Sequence, residues 1–416
     1  MRIRLESPAS KLAVSLAVFG LLFPYSWLSS SRYKAASLAQ LDDRASLERA
    51  VIMQPGDADY HEHLARHLLY VDQDASRSSH EYQVAATLNP YDAQSWLGVA
   101  QSELILGNES ASLEAIHRAL SVDPQTPSVA WESGNLLVAL NNVDAALGQF
   151  RFVIANDPSM LIQGLHLIRR LEASPSKAAE LALPPDPATH LVFMNMLIQN
   201  GELIGAKQVW KVVTKLHQPV VPSQTFYYFN ALIAAKDFDA ANEYWKELAA
   251  MCPDVARLQV PGNLIRNASF EFPILDGGFD WRYQPSPQID LQNETSDTHE
   301  GHRSLLATFH GQRTSELGMG QFILLDPNTR YRFRGFLKSN LQAANGVRFS
   351  LVDLRDQKHL FDTNESVSDL QWKEYSAEFT SGADTRLTVL FVGRSGTSLI
   401  SGNVLVDDLR LERVER

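Results

Sequence analysis

Three histidines and one glutamate fall within the seven residues HEHLARH at positions 61–67. A zinc protease helix carries two histidines four residues apart, with a glutamate directly after the first. The residue four after His61 is Ala65, so this pattern is absent. His63 and His67 are four apart and would share a helix face, but two ligands do not fill a zinc shell of three or four. We therefore predict no metal at this segment.

Other patterns that carry catalysis are also missing. The sequence has no phosphate-binding Gly-Lys loop and no Gly-x-Ser-x-Gly elbow, and Cys252 is its single cysteine. A glycosidase needs two carboxylates placed about a cleft, and no stretch has a recognisable pattern of that kind. We predict that the protein has no catalytic residues and is not an enzyme. An unrecognised polysaccharide hydrolase is one alternative.

The composition is that of a folded protein with several domains. The chain has 416 residues, of which 45% are hydrophobic and 20% are charged. This length exceeds one ordinary core, so two or three domains are expected. The formal net charge of -11 disfavours a nucleic-acid surface, because phosphate binding requires clustered Lys and Arg.

The N-terminus carries an apolar segment. Residues 12–28 hold no charge, and Trp27 suits a membrane interface. We predict a signal anchor over residues 1–34 with a cytoplasmic N-terminus. The rest of the chain would then lie outside the cytoplasm, on a single-pass inner-membrane protein. If the segment is a signal peptide that is cleaved, the protein is secreted instead. The basic residues before the segment are Arg2, Arg4 and Lys11.

Prolines recur at a fixed interval in the first two thirds of the chain. Pro90, Pro124 and Pro158 are 34 residues apart, and Pro219 and Pro253 repeat that spacing. Self-similarity at a period of this length is typical of stacked helical hairpins. Between these prolines, two stripes of apolar residues at helical spacing are separated by a glycine- or asparagine-containing turn.

The sequence pattern between successive prolines of this period resembles the tetratricopeptide repeat. The resemblance implies a right-handed α-solenoid over residues 35–255, degenerate around 160–187. In one copy the family positions are occupied by Trp96, Val99, Ala100, Ser112, Ile116, Ala119 and Pro124.

In that family the first helices of the repeats line a groove that binds a protein partner. The resemblance therefore implies a groove whose aromatic residue could anchor a partner and whose amides could bond to its backbone. The alternative is that these positions are ordinary solvated ones. By position, the groove residues are Glu62, Arg66, Gln94, Leu97, Gln101, Trp131 and Asn135.

The helical periodicity of the apolar residues ends after residue 255. Beyond a linker at residues 256–262, residues 263–416 contain short alternating segments separated by turns rich in Asn, Asp, Gly and Ser. Residues 331–338, YRFRGFLK, are one example. Such spacing predicts an antiparallel β-sandwich.

Five motifs in this last third, in order, resemble the carbohydrate-binding modules of families 4 and 9. They include NLIRNASFE at 263–271, THEGHRSL at 298–305, WKEYSAEFT at 372–380 and LVDDLRL at 405–411. The resemblance implies a jelly roll of the galactose-binding type. It implies a ligand less firmly, because the same sandwich also serves as a docking module.

The same resemblance implies two kinds of site residue. A structural calcium would join the first and last strands, with backbone carbonyls completing its shell of oxygens. The alternative is that these acids are surface residues. Glycan binding needs exposed aromatic faces and polar groups, whereas buried aromatics would only pack. The calcium candidates are Glu271, Asp407 and Asp408, and the glycan candidates are Trp281, Tyr283, Arg355 and Phe361.

Together these features predict an exported, membrane-anchored adaptor. The repeats would bind a protein partner and the sandwich would bind a polysaccharide, in envelope or exopolysaccharide assembly. No cofactor is required, and the structural calcium that the resemblance implies would be the one bound ion. An alternative that belongs to a different class of function is a protein-interaction scaffold whose sandwich is purely structural and binds no glycan.

Overall fold

A computed structural model describes residues 8–414 of the chain, so the predictions on Arg2 and Arg4 lie outside the described residues. The described part contains fifteen α-helices followed by two antiparallel β-sheets. The predicted order of helical region and sandwich is therefore confirmed. The contacts divide the chain into two compact units, Met1–Pro184 and Pro185–Arg416. This boundary lies inside the predicted repeat region, so the last helical hairpins share a unit with the sandwich.

The first unit consists of helices that pair in chain order. α3 packs on α4, α5 on α6 and α7 on α8, and α3, α5 and α7 also contact one another in turn. Aspartates begin several of these helices by accepting a backbone N–H with the side chain, as Asp43 and Asp74 do. The helices are α1 Pro8–Ala39, α2 Arg44–Met53, α3 Ala58–Tyr70, α4 Ala75–Leu88, α5 Ala93–Ile105, α6 Glu109–Val122, α7 Pro127–Ala139, α8 Val143–Asn156, α9 Leu161–Leu171 and α10 Pro175–Ala182.

Helix α1 combines an exposed apolar stretch with a packed end. Its stretch Lys11–Ala39 is long and apolar enough to cross a membrane, with a mean hydropathy of 1.7, a test that a signal sequence also passes. The last turns pack on α2. Ala35 is fully buried, and Gln54 Nε2 donates to Ser31 Oγ at 3.1 Å. The end of this apolar helix is therefore also the first helix of the first hairpin.

The second unit begins with two further hairpins and a short helix. α11 packs on α12 and α13 packs on α14, and the first helices α11 and α13 contact each other. The helices are α11 Pro187–Gln199, α12 Leu203–Lys215, α13 Pro222–Ala234, α14 Phe238–Met251 and α15 Pro253–Ala256.

Ten strands follow and form two five-stranded sheets, in the orders β1-β4-β9-β6-β7 and β2-β3-β10-β5-β8. All described pairings are antiparallel, so the sheets face each other as a sandwich. Phe333 lies in the core between Phe349 and Phe361, with ring centroids 5.0 and 4.9 Å away. The strands are β1 Arg282–Tyr283, β2 Ile289–Glu294, β3 Ser304–Arg313, β4 Glu316–Leu324, β5 Arg330–Ala343, β6 Arg348–Asp353, β7 Lys358–Asp362, β8 Lys373–Thr380, β9 Leu387–Gly393 and β10 Leu399–Arg413.

A loop before β1 packs the sandwich onto α13 and α14. Phe279 is buried edge-to-face against Phe229 at 4.8 Å and against Trp245 at 5.9 Å. Gly278 has a positive φ of 61°, and a Cβ there would collide with the Trp245 ring. Glycine is therefore required both for the backbone conformation and for the close approach.

Candidate functional site

The first helices of three hairpins line a groove in the first unit. A cavity of about 400 Å³ is formed by α3, α5 and α7. It brings together every residue that the repeat pattern placed in a groove, although the binding of a partner there stays a prediction. The predicted lining residues are Glu62, Arg66, Gln94, Leu97, Gln101, Trp131 and Asn135, and the structure adds Tyr70, Tyr82, Gly98, Glu132 and Leu136.

The groove is polar and contains two partly desolvated acids. Burial raises the pKa of Glu62, and Asp92 raises it further, whereas Arg66 lowers it. Burial also raises the pKa of Glu132, which a hydrogen bond from Gln94 opposes. A partly buried carboxylate is stabilised by a nearby cation. Glu62 has such a cation in Arg66, whose Nη1 lies 3.8 Å from Glu62 Oε1.

Of two added groove residues, Glu132 could have been predicted from the sequence pattern and Tyr70 could not. Glu132 lies three residues before Asn135 on α7, so helical spacing places both on one face. Tyr70 ends α3 and donates its hydroxyl to Gln101 Oε1 at 2.6 Å on α5. This contact joins two hairpins, which is why the sequence of one repeat did not point to it.

The histidine-rich segment occupies the same helix α3 and has packing roles. His61 is buried, with Nδ1 2.7 Å from Glu81 Oε2 and Nε2 3.2 Å from the Pro55 carbonyl oxygen. His67 Nε2 lies 3.8 Å from Asp72 Oδ1. These contacts make His61 and His67 part of the packing of this hairpin.

The outer face of one sheet of the sandwich forms a second cavity, of about 670 Å³. Cross-strand pairing builds its floor in two rows. One row runs across β4, β9, β6 and β7, and the other runs across β1, β4, β9 and β6. The first row is Phe322, Val389, Val352 and His359, and the second is Arg282, Gly320, Phe391 and Ser350. We call this cavity the sheet cleft.

The sheet cleft combines aromatic surface with a few polar groups. Phe322 and Phe391 are partly exposed and stand on the outer face, diagonally across the pair β4 and β9. Gly320, opposite Phe391, leaves the floor open beside the ring. An apolar surface with separated polar groups is the usual composition of a small-ligand site. The polar groups at the edges include Arg282, Gln284, Glu316, Gln357 and His359.

The structure places the four predicted glycan residues in different surroundings. Trp281 is 1% exposed and stacked on Phe270, with its Nε1 donating to the Asn267 carbonyl at 3.2 Å. Phe361 is 8% exposed and faces the core. Both rings thus pack inside the sandwich, and neither offers a face to a sugar.

The other two predicted residues are at the surface. Tyr283 follows Arg282 on β1, so strand alternation turns it away from the sheet cleft. Arg355 is exposed, but its guanidinium is bound to Asp384 at 2.7 Å and to Asp356 at 3.2 Å. The structure does not bring these four residues together, and their role in glycan binding stays a prediction.

Sequence reasoning missed Phe322 and Phe391. Both lie in strands whose two faces are largely apolar, as in residues 321–325, QFILL. Period-two alternation therefore did not separate the outward rings from the core rings. Only the pairing register shows that the two rings share the outer face.

The predicted calcium residues lie against one loop, residues 298–303. Glu271 Oε1 accepts from the backbone N–H groups of His302 at 2.6 Å and Arg303 at 3.0 Å. Asp407 Oδ2 accepts from the N–H groups of His299 at 2.8 Å and Glu300 at 3.1 Å. The two carboxylates therefore hold the two halves of the loop.

Burial raises the pKa of Asp407 to about 6, more than its backbone hydrogen bonds lower it. Ligand atoms of Asp408, His299 and Glu300 lie within 4.8 Å of one another. Among the hydrogen bonds of the described residues, none reaches Glu271 Oε2. The group that could hold a cation therefore contains one predicted calcium residue, Asp408, and not Glu271 or Asp407. Calcium prefers carboxylate and carbonyl oxygens to histidine, and its binding here stays a prediction.

Comparison with known proteins assigns the sandwich region. Residues 262–397 match the carbohydrate binding domain of families 4 and 9. No curated protein matches the chain.

Several solved structures are partly similar to the chain. The CBM22-1 xylan-binding domain of Paenibacillus barcinonensis Xyn10C has 18% identity and a TM-score of 0.27, with 36% of this chain and 93% of that one covered. A structure described as "CBM4 structure and function" has 15% identity and a TM-score of 0.28, with coverage of 36% and 99%. The structure of MamA has 15% identity and a TM-score of 0.27, with coverage of 38% and 98%.

Proposed function

We propose that the protein binds a polysaccharide in the sheet cleft and a protein partner in the repeat groove. The observation that carries the first part is the match of residues 262–397 to carbohydrate-binding domains, together with two exposed rings on one open sheet face. Apolar ring faces pack against the C–H faces of sugars, while edge polar groups hydrogen-bond to hydroxyls.

The sheet cleft binds without cleaving. Among the described residues that line it, Glu316 is the one carboxylate. Acid–base hydrolysis of a glycosidic bond requires two carboxyl groups on opposite sides of that bond. A binding role without turnover agrees with this composition and with the family match.

The setting we propose is the outside of the inner membrane, in envelope or exopolysaccharide assembly. Helix α1 supports an anchor that is retained rather than cleaved, because its end packs as part of the first hairpin. Ala35 is fully buried there, seven residues after the uncharged segment 12–28. Signal cleavage beyond Ser31 would remove part of this packed helix.

Glycan binding is tested with the full chain in detergent micelles, by affinity electrophoresis in gels that contain soluble polysaccharides. Replacement of Phe391 by Ala removes an exposed ring and no core ring. We expect it to weaken binding about tenfold, as loss of a central aromatic contact does. Trp131→Ala, in the repeat groove, is the matched control and should leave glycan binding unchanged.

Three results would contradict the proposal. Absence of binding to every polysaccharide would favour a scaffold with a structural sandwich. Equal binding by Phe391→Ala and the wild type would place the ligand elsewhere. Release of reducing sugars, abolished by Glu316→Gln, would show a hydrolase.

The repeat groove is tested by photocrosslinking in cells. A crosslinking amino acid at Gln101 faces the groove, and one at Arg118 lies outside it on α6. We expect one defined adduct from position 101, lost when Trp131 is replaced by Ala, and none from position 118. The same adducts from both positions would argue against the groove.

A further inference from the structure

One cationic side chain of the sheet cleft is held by a repeat helix. Arg282 Nη2 donates to Asn230 Oδ1 on α13 at 3.0 Å and to the Gly278 carbonyl at 3.2 Å. Its guanidinium carbon lies 4.6 Å from the centre of the Phe322 ring and 5.5 Å from that of Phe229. Stacking on aromatic faces orients a planar guanidinium and leaves its edge for other partners.

The charge of Arg282 is not matched within the described residues. No carboxylate among them forms an ion pair with it, and Asp276, which acts on it electrostatically, accepts the N–H of Tyr283 instead. The Nε atom is buried and has no hydrogen-bond partner. Burial also lowers the pKa of this guanidinium, which reflects the cost of an unpaired charge.

The other arginine that bridges the sandwich and the last hairpin is different. Arg386 pairs with Asp239 of α14 and does not line the sheet cleft. Arg386, which also joins the sandwich to this hairpin, thus has a carboxylate partner. Arg282, by contrast, lines the cavity and lacks an anion.

We propose that Arg282 binds a carboxylate of an acidic sugar in the sheet cleft, and that Asn230 of the last repeat hairpin positions it. Nη2 of Arg282 already donates to Asn230 and Gly278, and Nε is buried, so Nη1 is the group that remains to donate to a ligand. A charge-assisted hydrogen bond from a guanidinium to a carboxylate is stronger than one between neutral groups. The glycan would therefore be a polymer that carries uronic acids, and the helical hairpin would take part in its selection. This inference rests on the proposed glycan function of the cleft.

The test compares polymers that differ only in charge. The probes are polygalacturonate with its methyl ester, and C6-oxidised cello-oligosaccharides with the unoxidised ones, each measured against the full chain in micelles. For at least one pair we expect the acidic member to bind about tenfold more tightly, by a margin that shrinks with added salt. Arg282→Gln should abolish the preference, whereas Arg386→Gln, the matched control, should retain it.

The role of Asn230 is tested by measuring the preference for acidic over neutral polymers, not by measuring the stability of the protein. Asn230→Ala should reduce the ratio of acidic to neutral affinity several-fold, and Asn230→Asp should abolish it, because the new carboxylate would neutralise Arg282. Asn242→Ala on α14, which has no bond to Arg282, should leave the ratio unchanged. Thermal unfolding of each variant separates loss of the ratio from loss of the fold.

The outcomes separate the two proposals. In one outcome, the protein binds neutral polymers as tightly as acidic ones, and Phe391→Ala weakens that binding. This result would overturn the role of Arg282 and leave the glycan function of the cleft standing. A preference that survives Arg282→Gln would overturn it as well. No binding of any of these probes by the folded wild type would overturn the role of Arg282, whereas the glycan function of the cleft falls only if no polysaccharide in the gels binds.

Discussion

The repeat groove and the sheet cleft are built in opposite ways. The groove draws on three helices, and its residues within each helix are three or four positions apart, as Gln94, Leu97 and Gln101 are. The sheet cleft draws on five strands, and paired positions such as Phe322 and Val389 are far apart in sequence. A site made of local spacings is readable from one repeat, whereas a site made of strand pairings depends on the register of the whole sheet.

Their electrostatics also differ. The groove contains two acids, Glu62 and Glu132, whose pKa values burial raises. The sheet cleft contains Arg282, a cation without an ion-pair partner among the described residues. Burial therefore acts on acidic groups in the groove and on a basic group in the sheet cleft.

The largest expected difference between the two units concerns stability. Trp245 is buried against Phe279 of the sandwich loop, so Trp245→Ala should leave a cavity and cost ~3–5 kcal/mol of unfolding free energy in the second unit. Trp131→Ala removes a half-exposed ring in the first unit and should cost less. Denaturant unfolding followed by fluorescence measures both. Equal costs would show that the hairpin and the sandwich do not share a core.

A buried acid should make the stability of the second unit depend on pH. Burial raises the pKa of Asp280 to about 6, above its unfolded value of about 3.9. A carboxyl group whose pKa is higher in the folded state stabilises the fold at pH values below its unfolded pKa. That stabilisation is lost as the pH rises through 6. Between pH 4 and 7 the loss is ~3 kcal/mol at most.

The variant Asp280→Asn isolates this effect. The amide can still accept from the Leu275 N–H, which Asp280 Oδ2 now does at 2.7 Å, and it carries no charge. Unfolding curves at several pH values should therefore fall less steeply for Asp280→Asn than for the wild type. Asp384→Asn, at an exposed position, is the control. Parallel curves for Asp280→Asn and the wild type would contradict the prediction.

Calcium should act on the sandwich and not on the repeats. At a concentration one hundred times its dissociation constant, a ligand that binds only the folded state stabilises it by about 2.7 kcal/mol. We expect the second unit to unfold at a higher denaturant concentration when calcium is present, and we expect Asp408→Ala to lose this response. The first unit should not respond. No shift in either unit would argue against the calcium prediction.

The smallest effect should come from Arg355. Its pair with Asp384 is exposed to solvent and screened by it, so Arg355→Ala should barely change stability. It lies outside the residues that line the sheet cleft, and glycan affinity should therefore be unchanged. If Arg355→Ala weakens binding more than Phe391→Ala does, the residues predicted from sequence define the glycan site better than the cleft does.

The sequence alone determined the helical hairpins, because proline spacing and apolar periodicity are properties of neighbouring residues. It also determined the class of the C-terminal region, from motifs such as NLIRNASFE. The groove positions were implied by the resemblance to the tetratricopeptide repeat, and helical spacing explains why those on one helix share a face.

Tertiary structure alone decided which aromatic residues face outward. Trp281 and Phe361 look as suitable for a sugar as Phe322 and Phe391 do, yet the first two are buried and the last two are partly exposed. Tertiary structure also decided that Asn230 and Arg282, 52 residues apart, meet at the sheet cleft. Strand register and the packing of a loop on a helix arise from many distant contacts, and no local pattern in the sequence encodes them.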